Sequence, residues 1–561
     1  MIKNLKLLPL LSVFCLLATK ARTQSDSVIV QGKIENLTFR QYRQANSVAV
    51  ARINVLRADQ EMVRAANLQP DGSFRLALPV VFPHEECYFT FGNSVLVPFM
   101  ASAGTITLRI NADSLLQPRL PVAFGGANAA TNQRHAQFYA AFNKWLEKQP
   151  DLKDPLAKTA GRVPQRAWEL LRNMRDRKQR FYENFAANSA DILLNKWVSM
   201  SLDQEAKALF LIYLTRQKQA IPASLNDTLL LDNQPLLTFT KADCFRQFTQ
   251  YAFQTTTQPR ETTLPLGKLA SILLQFVPKI TTADSLKLEE IKQANAAKMK
   301  DLKLLNTLFE RNSQATSSFV NFELYAKKYG AAFDSTTLDF LKTQFYVDNV
   351  SQLTVRQLEA LYQYVKPQIK NLFYGASLTE LHRVETRDSV AIRALDEVAF
   401  IDHSQGSMEQ FVIDAGRGIY LYHNNLSPVE AQLQAVKKMY AGRKIYVLLW
   451  DNTDEFSRRA FLNARNLPAM LPNDDLQLVV VCTSLGLEPQ VWKEAVLKSK
   501  LKGLHILCNS AAQIDGWFLE ASTDQLPTAI LINEVGKIIK NPAPLPGDRE
   551  EWEQVKRKIW K

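Results

Sequence analysis

Cysteine is scarce in this chain. Its number argues against a fold built on disulfides, and its spacing excludes a protein that works through a Cys-x-x-Cys motif. Only five of the 561 residues are cysteine, and Cys15 belongs to an apolar segment near the start. The other four are Cys87, Cys244, Cys482 and Cys508, and no two of them are close enough for a Cys-x-x-Cys motif. Such scarcity argues against a fold built on disulfides. Most of the four lie in apolar runs, where a free cysteine behaves as a small hydrophobic residue.

Clustered metal ligands are missing as well. His84 and Cys87 have the spacing of half a metal site. A zinc site needs further ligands, and no second pair lies nearby in the sequence. We therefore predict no metal site and no cofactor, and we expect a structural or solvent-facing role for these two residues.

Long apolar runs are limited to the first residues. Lys3 and Lys6 precede an apolar stretch at 7–18, and small residues at 19 and 21 fit a signal-peptidase site. This stretch is too short for an ordinary membrane span, and no later segment reaches that length. We predict a signal peptide at 1–21 and an exported, soluble mature chain. The alternative is an uncleaved segment, which would be the only contact with a membrane.

Basic residues outnumber acidic ones, which gives a formal net charge of +13. The stretch Arg162–Arg180 is rich in cations, and apolar residues recur in it near helical spacing. Such a basic amphipathic helix suits a nucleic-acid or membrane-surface role, or simply a solvated outer face. We favour the solvated face, and export argues further against a nucleic-acid partner.

The chain is too long for one core, and three regions follow the signal. Residues 26–128 contain short strand patterns separated by turn signals, such as Asp71-Gly72-Ser73, which predicts an all-β, sandwich-like module. Residues 129–395 are predicted as a helical region, because apolar stripes such as that of 355–365 follow the helical period.

Residues 396–561 alternate strand and helix patterns. Lys444–Trp450 is a nearly continuous apolar run, as expected for a buried central strand. Further strands are predicted at 476–482, at 504–508, and in a hairpin over 528–539. The last helix is predicted from about Asp548. The fold class is therefore multidomain, with an α/β C-terminal region.

The order of elements in this last region, together with Leu526-Pro527-Thr528, resembles the thioredoxin superfamily. The resemblance is to TlpA-like, AhpC/TSA-type envelope proteins, whose larger members carry an N-terminal β-module and a helical spacer. It implies a thioredoxin-like domain at 396–561. It also implies a location in the periplasm or cell envelope of a Gram-negative-type bacterium, with a protein or peptide partner there.

The catalytic thiols of that family are absent. Leu449-Trp450 matches the end of the family's central strand, and Asp454 and Ser457 fall where its two cysteines would stand. A thiolate attacks and a second thiol resolves the mixed disulfide, so an aspartate and a serine cannot replace them. We interpret Asp454 and Glu455 as acidic residues in the first turn of a helix, with Asn452 or Thr453 as its N-cap.

Other residues of the resemblance keep a binding role open. In active members the proline lies beside the thiols and contacts extended substrate chains, so Trp450, Leu526, Pro527 and Thr528 are candidate peptide contacts. Cys482 and Cys508 end, or nearly end, predicted strands of one sheet. They are candidates for a displaced redox pair, although core cysteines are the simpler interpretation.

Three functions remain as hypotheses. The first is a non-catalytic envelope protein that uses a redox-degenerate thioredoxin-like domain for binding or scaffolding. The second is a TlpA-type thiol-disulfide oxidoreductase that works through non-standard cysteines. The third is ligand binding through the β-module at 26–128. The chemistry of thiol exchange favours the first over the second, and the residues do not separate the first from the third.

Overall fold

The computed structural model describes residues 27–91, 95–114, 122–187, 191–225, 231–256, 263–277, 279–387, 400–467 and 476–559. The predicted signal peptide at 1–21 lies outside these ranges. The chain divides into two compact units. Unit 1 takes residues 1–347 and 364–381, and unit 2 takes residues 348–363 and 382–561.

Unit 1 begins with two β-sheets that share one hydrophobic core. One sheet has the strand order β4-β1-β7-β8, and the other has the order β3-β2-β5-β6 with β9 paired to β5. All neighbours are antiparallel except β1 with β7 and β5 with β9. The strands are β1 Ser27–Glu35, β2 Ser47–Asn54, β3 Arg57–Asn67, β4 Ser73–Pro79, β5 His84–Phe91, β6 Val95–Ala101, β7 Gly104–Asn111, β8 Val122–Gly126 and β9 Leu236–Leu237.

Alternating side chains build this core. In β4, Phe74, Leu76 and Leu78 are buried and the residues between them are not. They join Val30 of β1 and Phe89 of β5 in a single cluster between the two sheets. Burial of this inner face is the main stabilising term of the module.

The predicted turn before β4 has a specific geometry. Asp71 accepts hydrogen bonds from the Ser73 amide at 3.0 Å and the Ser73 hydroxyl at 2.7 Å. Gly72 has a φ of 80°, and a Cβ there would lie 2.3 Å from the Ile34 carbonyl oxygen. Only glycine fits this close approach without moving the backbone.

The rest of unit 1 is largely helical. Helix α2 packs on β6 and β8, and Asn132 in it bonds both the amide of Met100 at 2.7 Å and its carbonyl at 3.2 Å. The helices up to the start of unit 2 are α1 Phe39–Gln44, α2 Ala129–Glu147, α3 Pro155–Thr159, α4 Pro164–Ala186, α5 Ile192–Gln217, α6 Phe239–Thr255, α7 Leu266–Phe276, α8 Thr282–Ala294, α9 Met299–Arg311, α10 Ser313–Gly330 and α11 Ser335–Asn349. Two more are α12 Val355–Val365 and α13 Leu372–Glu385, and these two and the end of α11 cross the division between the units.

Unit 2 is built on a seven-stranded mixed sheet with the order β10-β11-β14-β13-β12-β15-β16. Strands β11, β14, β13 and β12 run parallel to one another, whereas the pairs β10–β11, β12–β15 and β15–β16 are antiparallel. The strands are β10 Ile413–Asp414, β11 Ile419–His423, β12 Lys444–Trp450, β13 Leu476–Cys482, β14 Gly503–Leu507, β15 Thr528–Ile532 and β16 Ile538–Lys540.

The central strand of this sheet is buried on both faces, as its apolar run predicts. Tyr446, Leu448 and Trp450 belong to one hydrophobic cluster, and Ile445, Val447 and Leu449 belong to the other. Helices cover both faces: α14 Val429–Met439, α15 Glu455–Asn463, α16 Pro489–Ser499, α17 Ala511–Ala521 and α18 Arg549–Ile559. The coarse prediction of a multidomain chain with β-sheets and a helical region is therefore confirmed.

The two units divide the chain differently from the three predicted regions. Residues 348–363 and 382–387, both within the helical region predicted at 129–395, group with unit 2. Within the described parts of the chain, no helix combines the length and apolarity that crossing a membrane requires.

Candidate functional site

The candidate site begins where β12 ends and turns into helix α15. Its loop is tied to the end of the neighbouring strand β13. The Thr483 amide donates to the Trp450 carbonyl at 2.9 Å, and the Ser484 hydroxyl donates to Asp451 Oδ1 at 2.7 Å. The Asn452 amide in turn donates to the Ser484 hydroxyl oxygen at 2.8 Å. These bonds fix the loop at the carboxyl edge of the parallel strands, where open α/β sheets commonly carry their sites.

Asp454 is the N-cap of helix α15, and this corrects the predicted cap at Asn452 or Thr453. Its carboxylate accepts a hydrogen bond from the Ser457 amide at 2.6 Å. The Thr453 amide and hydroxyl instead bond Asp451 Oδ1, at 2.8 and 2.9 Å. The local reason is that only an N-cap side chain reaches the free amide of the third helical residue. Glu455 lies in the first turn, as predicted.

No described residue activates the Ser457 hydroxyl as a nucleophile. The residue is fully buried, and its hydroxyl oxygen has no hydrogen-bond partner among the described residues. A serine hydroxyl needs an adjacent base to act as a nucleophile. Because the Asp454 carboxylate already serves the helix amide, these two positions hold a helix start and offer no thiolate for disulfide exchange.

The candidate peptide contacts lie beside this helix start, and most of them are covered. The Leu526–Pro527 peptide is cis, and Thr528 pairs with Leu449 across β15 and β12. Pro527 is buried, Thr528 is 4% exposed, and only Leu526 is half-buried. An extended peptide therefore has little of this surface to contact.

Trp450, the fourth candidate contact, is part of the core. It is 1% exposed and stacks on Phe461 of α15, with ring centroids 4.0 Å apart. Its indole nitrogen has no hydrogen-bond partner among the described residues. The side chain therefore stabilises the packing of α15 on the sheet, and it has almost no exposed surface with which to contact a ligand.

The chain's own segment 348–363 reaches this edge of unit 2. Asn452 Nδ2 donates to the Ser351 carbonyl at 2.6 Å. The Val355 amide donates to Glu494 of α16 at 2.7 Å. Sequence reasoning missed both contacts, since Ser351 lies far from Asn452 along the chain. The Ser484 contact had a usable signal, because the carboxyl ends of adjacent parallel strands meet at one edge.

Cys482 and Cys508 are neighbours in the backbone but not in their side chains. The Cys508 amide donates to the Cys482 carbonyl at 2.8 Å, yet the two thiols belong to the clusters on opposite faces of the sheet. Both cysteines are free and fully buried. A disulfide between them would need one side chain to cross to the other face.

Burial also disfavours the thiolate form of both cysteines. It raises the pKa of Cys482 to about 12 and raises the pKa of Cys508 further above its usual range. Cys482 Sγ lies 3.3 Å from the Ser484 hydroxyl oxygen, and Cys508 Sγ lies 3.7 Å from Gln432 Oε1. Because the thiolate is the reactive form, this burial argues against a redox role for either residue.

Two further sequence candidates have structural partners in unit 1. His84 Nδ1 lies 2.6 Å from the Ser102 hydroxyl, and Cys87 is buried in the core of the β-module. The described residues contain no group of three or more His, Cys, Asp or Glu side chains suited to a metal.

In the basic stretch, Arg166 pairs with Glu169 at 2.8 Å and Lys178 pairs with Glu205 at 2.7 Å.

Comparisons with known proteins add little to this geometry. No protein-family model and no curated protein sequence matches the chain. A similar solved structure is the solution structure of a proposed thiol-disulfide oxidoreductase from Bacteroides vulgatus, with 22% sequence identity and a TM-score of 0.19. The match covers 22% of this chain and 78% of that chain. A likeness at this TM-score does not establish a shared fold or activity.

Proposed function

We propose that this protein is an exported envelope protein whose C-terminal unit is a thioredoxin-like domain of the TlpA type. In this proposal the domain binds or scaffolds and does not exchange disulfides. The observation that carries it is Asp454, whose carboxylate caps helix α15 at 2.6 Å from the Ser457 amide. A redox member of the family would have its attacking thiolate at this position.

The sheet of unit 2 supports the thioredoxin-like assignment. Its central strand β12 lies between parallel β13 and antiparallel β15, and helix α15 follows it directly. The cis Leu526–Pro527 peptide immediately precedes β15. The positions of β12, α15 and the cis peptide support the resemblance, because active members of the family carry their catalytic thiols at this edge of the sheet.

The contacts of that edge support a scaffolding role. Asn452 follows β12, the strand after which a redox member would carry its thiols. Its side-chain amide donates a hydrogen bond to the Ser351 carbonyl. Glu494 holds the Val355 amide in the same segment. A site that binds substrate chains in active relatives would here anchor residues 348–363 of the same polypeptide.

A gain-of-function experiment tests both halves of this proposal. The wild-type chain, each single variant and the double variant Asp454→Cys/Ser457→Cys are compared in an insulin-reduction assay with dithiothreitol. We expect no rate above the reagent for the wild type or either single variant, because exchange needs both an attacking and a resolving thiol. The double variant should gain turnover.

Two results would overturn the proposal in different ways. Wild-type turnover that is lost in Cys482→Ser or Cys508→Ser would show an oxidoreductase using non-standard cysteines. A double variant that folds, as judged by circular dichroism, and stays inactive would contradict the thioredoxin-like geometry at positions 454 and 457.

The anchoring role has a separate test by hydrogen–deuterium exchange. Asn452→Ala removes the bond to Ser351 and should raise exchange in residues 348–363 several-fold, since such a bond contributes about 0.5–1.5 kcal/mol. Asn466→Ala, at an exposed position of the same unit, is the matched control. Equal exchange in the two variants would argue against anchoring at this edge.

A further inference from the structure

A second feature of unit 2 lies at the amino ends of its parallel strands, away from the helix start at Asp454. It is a cleft of about 990 Å³. Its lining includes Leu476 at the start of β13, Gly503 at the start of β14 and Tyr420 near the start of β11. This volume is at the upper end of the range typical of small-molecule sites.

The mouth of the cleft is cationic. Arg443, Arg465, Lys500 and Lys502 all line it and are all exposed to solvent. Two acidic residues, Glu409 and Asp414, also contribute to the lining. Asp414 Oδ1 accepts a hydrogen bond from the Gly416 amide at 2.7 Å, so part of its charge is directed at its own turn. Among the described lining residues, the cations Arg443, Arg465 and Lys502 outnumber the two carboxylates, which favours an anion.

The wall of the cleft is apolar. Val412, Met439 and Leu478 are half-buried there, and Leu467 and Leu501, which also line the cleft, are buried. A cleft that exposes such side chains beside a ring of cations is matched by a ligand with both an apolar body and an anionic head. Burial of apolar ligand surface would supply the binding free energy, and the cations would orient the head.

A phenol is placed among the cations. Tyr440 lines the cleft and interacts electrostatically with Tyr420 and Arg443. Burial raises the pKa of Tyr440 above its usual value, so the phenol stays neutral. It can therefore donate a hydrogen bond to an anionic oxygen that Arg443 also holds.

Close backbone contacts at Gly503 form the floor of the cleft. Gly503 has a φ of 137°, and a Cβ on it would lie 2.4 Å from the Leu478 carbonyl oxygen. Its amide donates to the Gly418 carbonyl at 2.9 Å, which holds the starts of two strands together at the floor of the cleft.

We propose that this cleft binds an amphipathic anion, namely a molecule with an acyl chain and a carboxylate or phosphate head. The acyl chain lies on Val412, Met439 and Leu478, and the head lies between Arg443 and Lys502. A free fatty acid and a lipid phosphate share this chemistry. The site is independent of the helix start at Asp454 and of the proposed scaffolding role.

Isothermal titration calorimetry on the full chain tests the proposal with four probes. These are dodecanoate, dodecyl phosphate, neutral dodecyl maltoside with the same chain length, and inorganic phosphate, each kept below micelle formation. We expect binding of one or both amphipathic anions only. Arg443→Glu/Lys502→Glu should weaken it roughly ten- to a hundredfold, as expected for the loss of hydrogen bonds to a charged group.

The control changes the same charge on the same unit outside the lining. Lys437→Glu/Lys438→Glu, on helix α14 next to Met439, should leave the affinity unchanged, whereas Arg465→Glu alone should lower it. Binding of dodecanoate alone or of dodecyl phosphate alone supports the proposal and identifies the head. Equal binding of dodecyl maltoside, equal binding of inorganic phosphate, or an equal loss in the α14 variant would overturn it.

Discussion

Asp454 occupies the position at which the family resemblance places an attacking thiol, and its carboxylate accepts the Ser457 amide at 2.6 Å. The same helix-terminal field that would lower the pKa of a thiol stabilises a carboxylate. The same local structure would suit a thiolate, but the residue at this position is a carboxylate. The cap was predicted one or two residues too early, because Asn452, Thr453 and Asp454 are all good N-cap residues. Only the bond geometry separates them.

The first prediction concerns this cap. Asp454→Ala should lower the free energy of unfolding by about 0.5–2 kcal/mol, whereas Asp454→Asn, which keeps an acceptor oxygen, should stay close to the wild type. Urea denaturation followed by circular dichroism measures both. Equal destabilisation by the two variants would show that the carboxylate has another role.

The second prediction concerns the thiols. Cys87, Cys244, Cys482 and Cys508 are all buried and free, and burial raises the pKa of Cys244 to about 12. Native protein should therefore react hardly at all with Ellman's reagent over minutes. Denatured protein should release four equivalents if the segment containing Cys15 has been removed and five if it is kept. Fast reaction of one native thiol would contradict the buried placement.

At the scale of elements, one buried ionic cluster joins three parts of unit 1. Arg52 of β2 donates to Glu85 of β5 at 3.2 Å and also to Glu380 of α13. Asn54 donates to Glu380 at 3.2 Å and to the Ser377 carbonyl at 3.0 Å. The three charged residues are at most 7% exposed. Such a cluster tolerates the loss of a partner poorly, because the remaining charge stays buried.

The third prediction follows from this cluster. Arg52→Met leaves two buried carboxylates without their cation and should cost about 3–5 kcal/mol of stability. Arg75→Met, at an exposed arginine of β4 that bonds Gln31, should change stability by less than about 0.5 kcal/mol. Thermal and urea unfolding of both variants give the comparison. A similar small loss in the two would mean that the cluster is solvated in solution.

Sequence patterns predicted the buried elements better than the edges. The apolar run Lys444–Trp450 and the stripe of Val355–Val365 correspond to a strand and a helix with the same bounds. Strand β3, Arg57–Asn67, was not predicted, because it lies at the end of its sheet and is rich in polar residues. An edge strand pairs on one side only, so its sequence carries a weak hydrophobic signal.

At the scale of the whole molecule, long-range contacts were what sequence could not supply. Local periodicity separated a β part, a helical part and an α/β part. It could not assign residues 348–363 to unit 2, because that grouping depends on contacts such as Asn452 with Ser351. Sequence alone also could not show that Cys482 and Cys508 face opposite sides of the sheet. A period of two allows either face, and the register of β13 and β14 decides between them.

The stability of the molecule should also depend on pH through a buried histidine. His135 of α2 is 6% exposed and stacks on Trp197 with ring centroids 3.6 Å apart. Burial lowers its pKa from 6.5 to about 3. The native state therefore resists protonation over a range in which the unfolded chain binds a proton. Its contribution to stability is complete above pH 6.5 and is lost as the pH falls toward 3.

The last prediction is the size of this effect. Between pH 7 and pH 4 the histidine should account for a loss of roughly 3 kcal/mol in the free energy of unfolding, since each pH unit below 6.5 contributes about 1.4 kcal/mol. His135→Gln should be less stable at pH 7, because the stack on Trp197 is lost, and its stability should fall less steeply toward pH 4. Urea titrations at several pH values measure both slopes. Parallel curves for the wild type and the variant would show that His135 is protonated in the native state, and that the acid sensitivity of the chain comes from other groups.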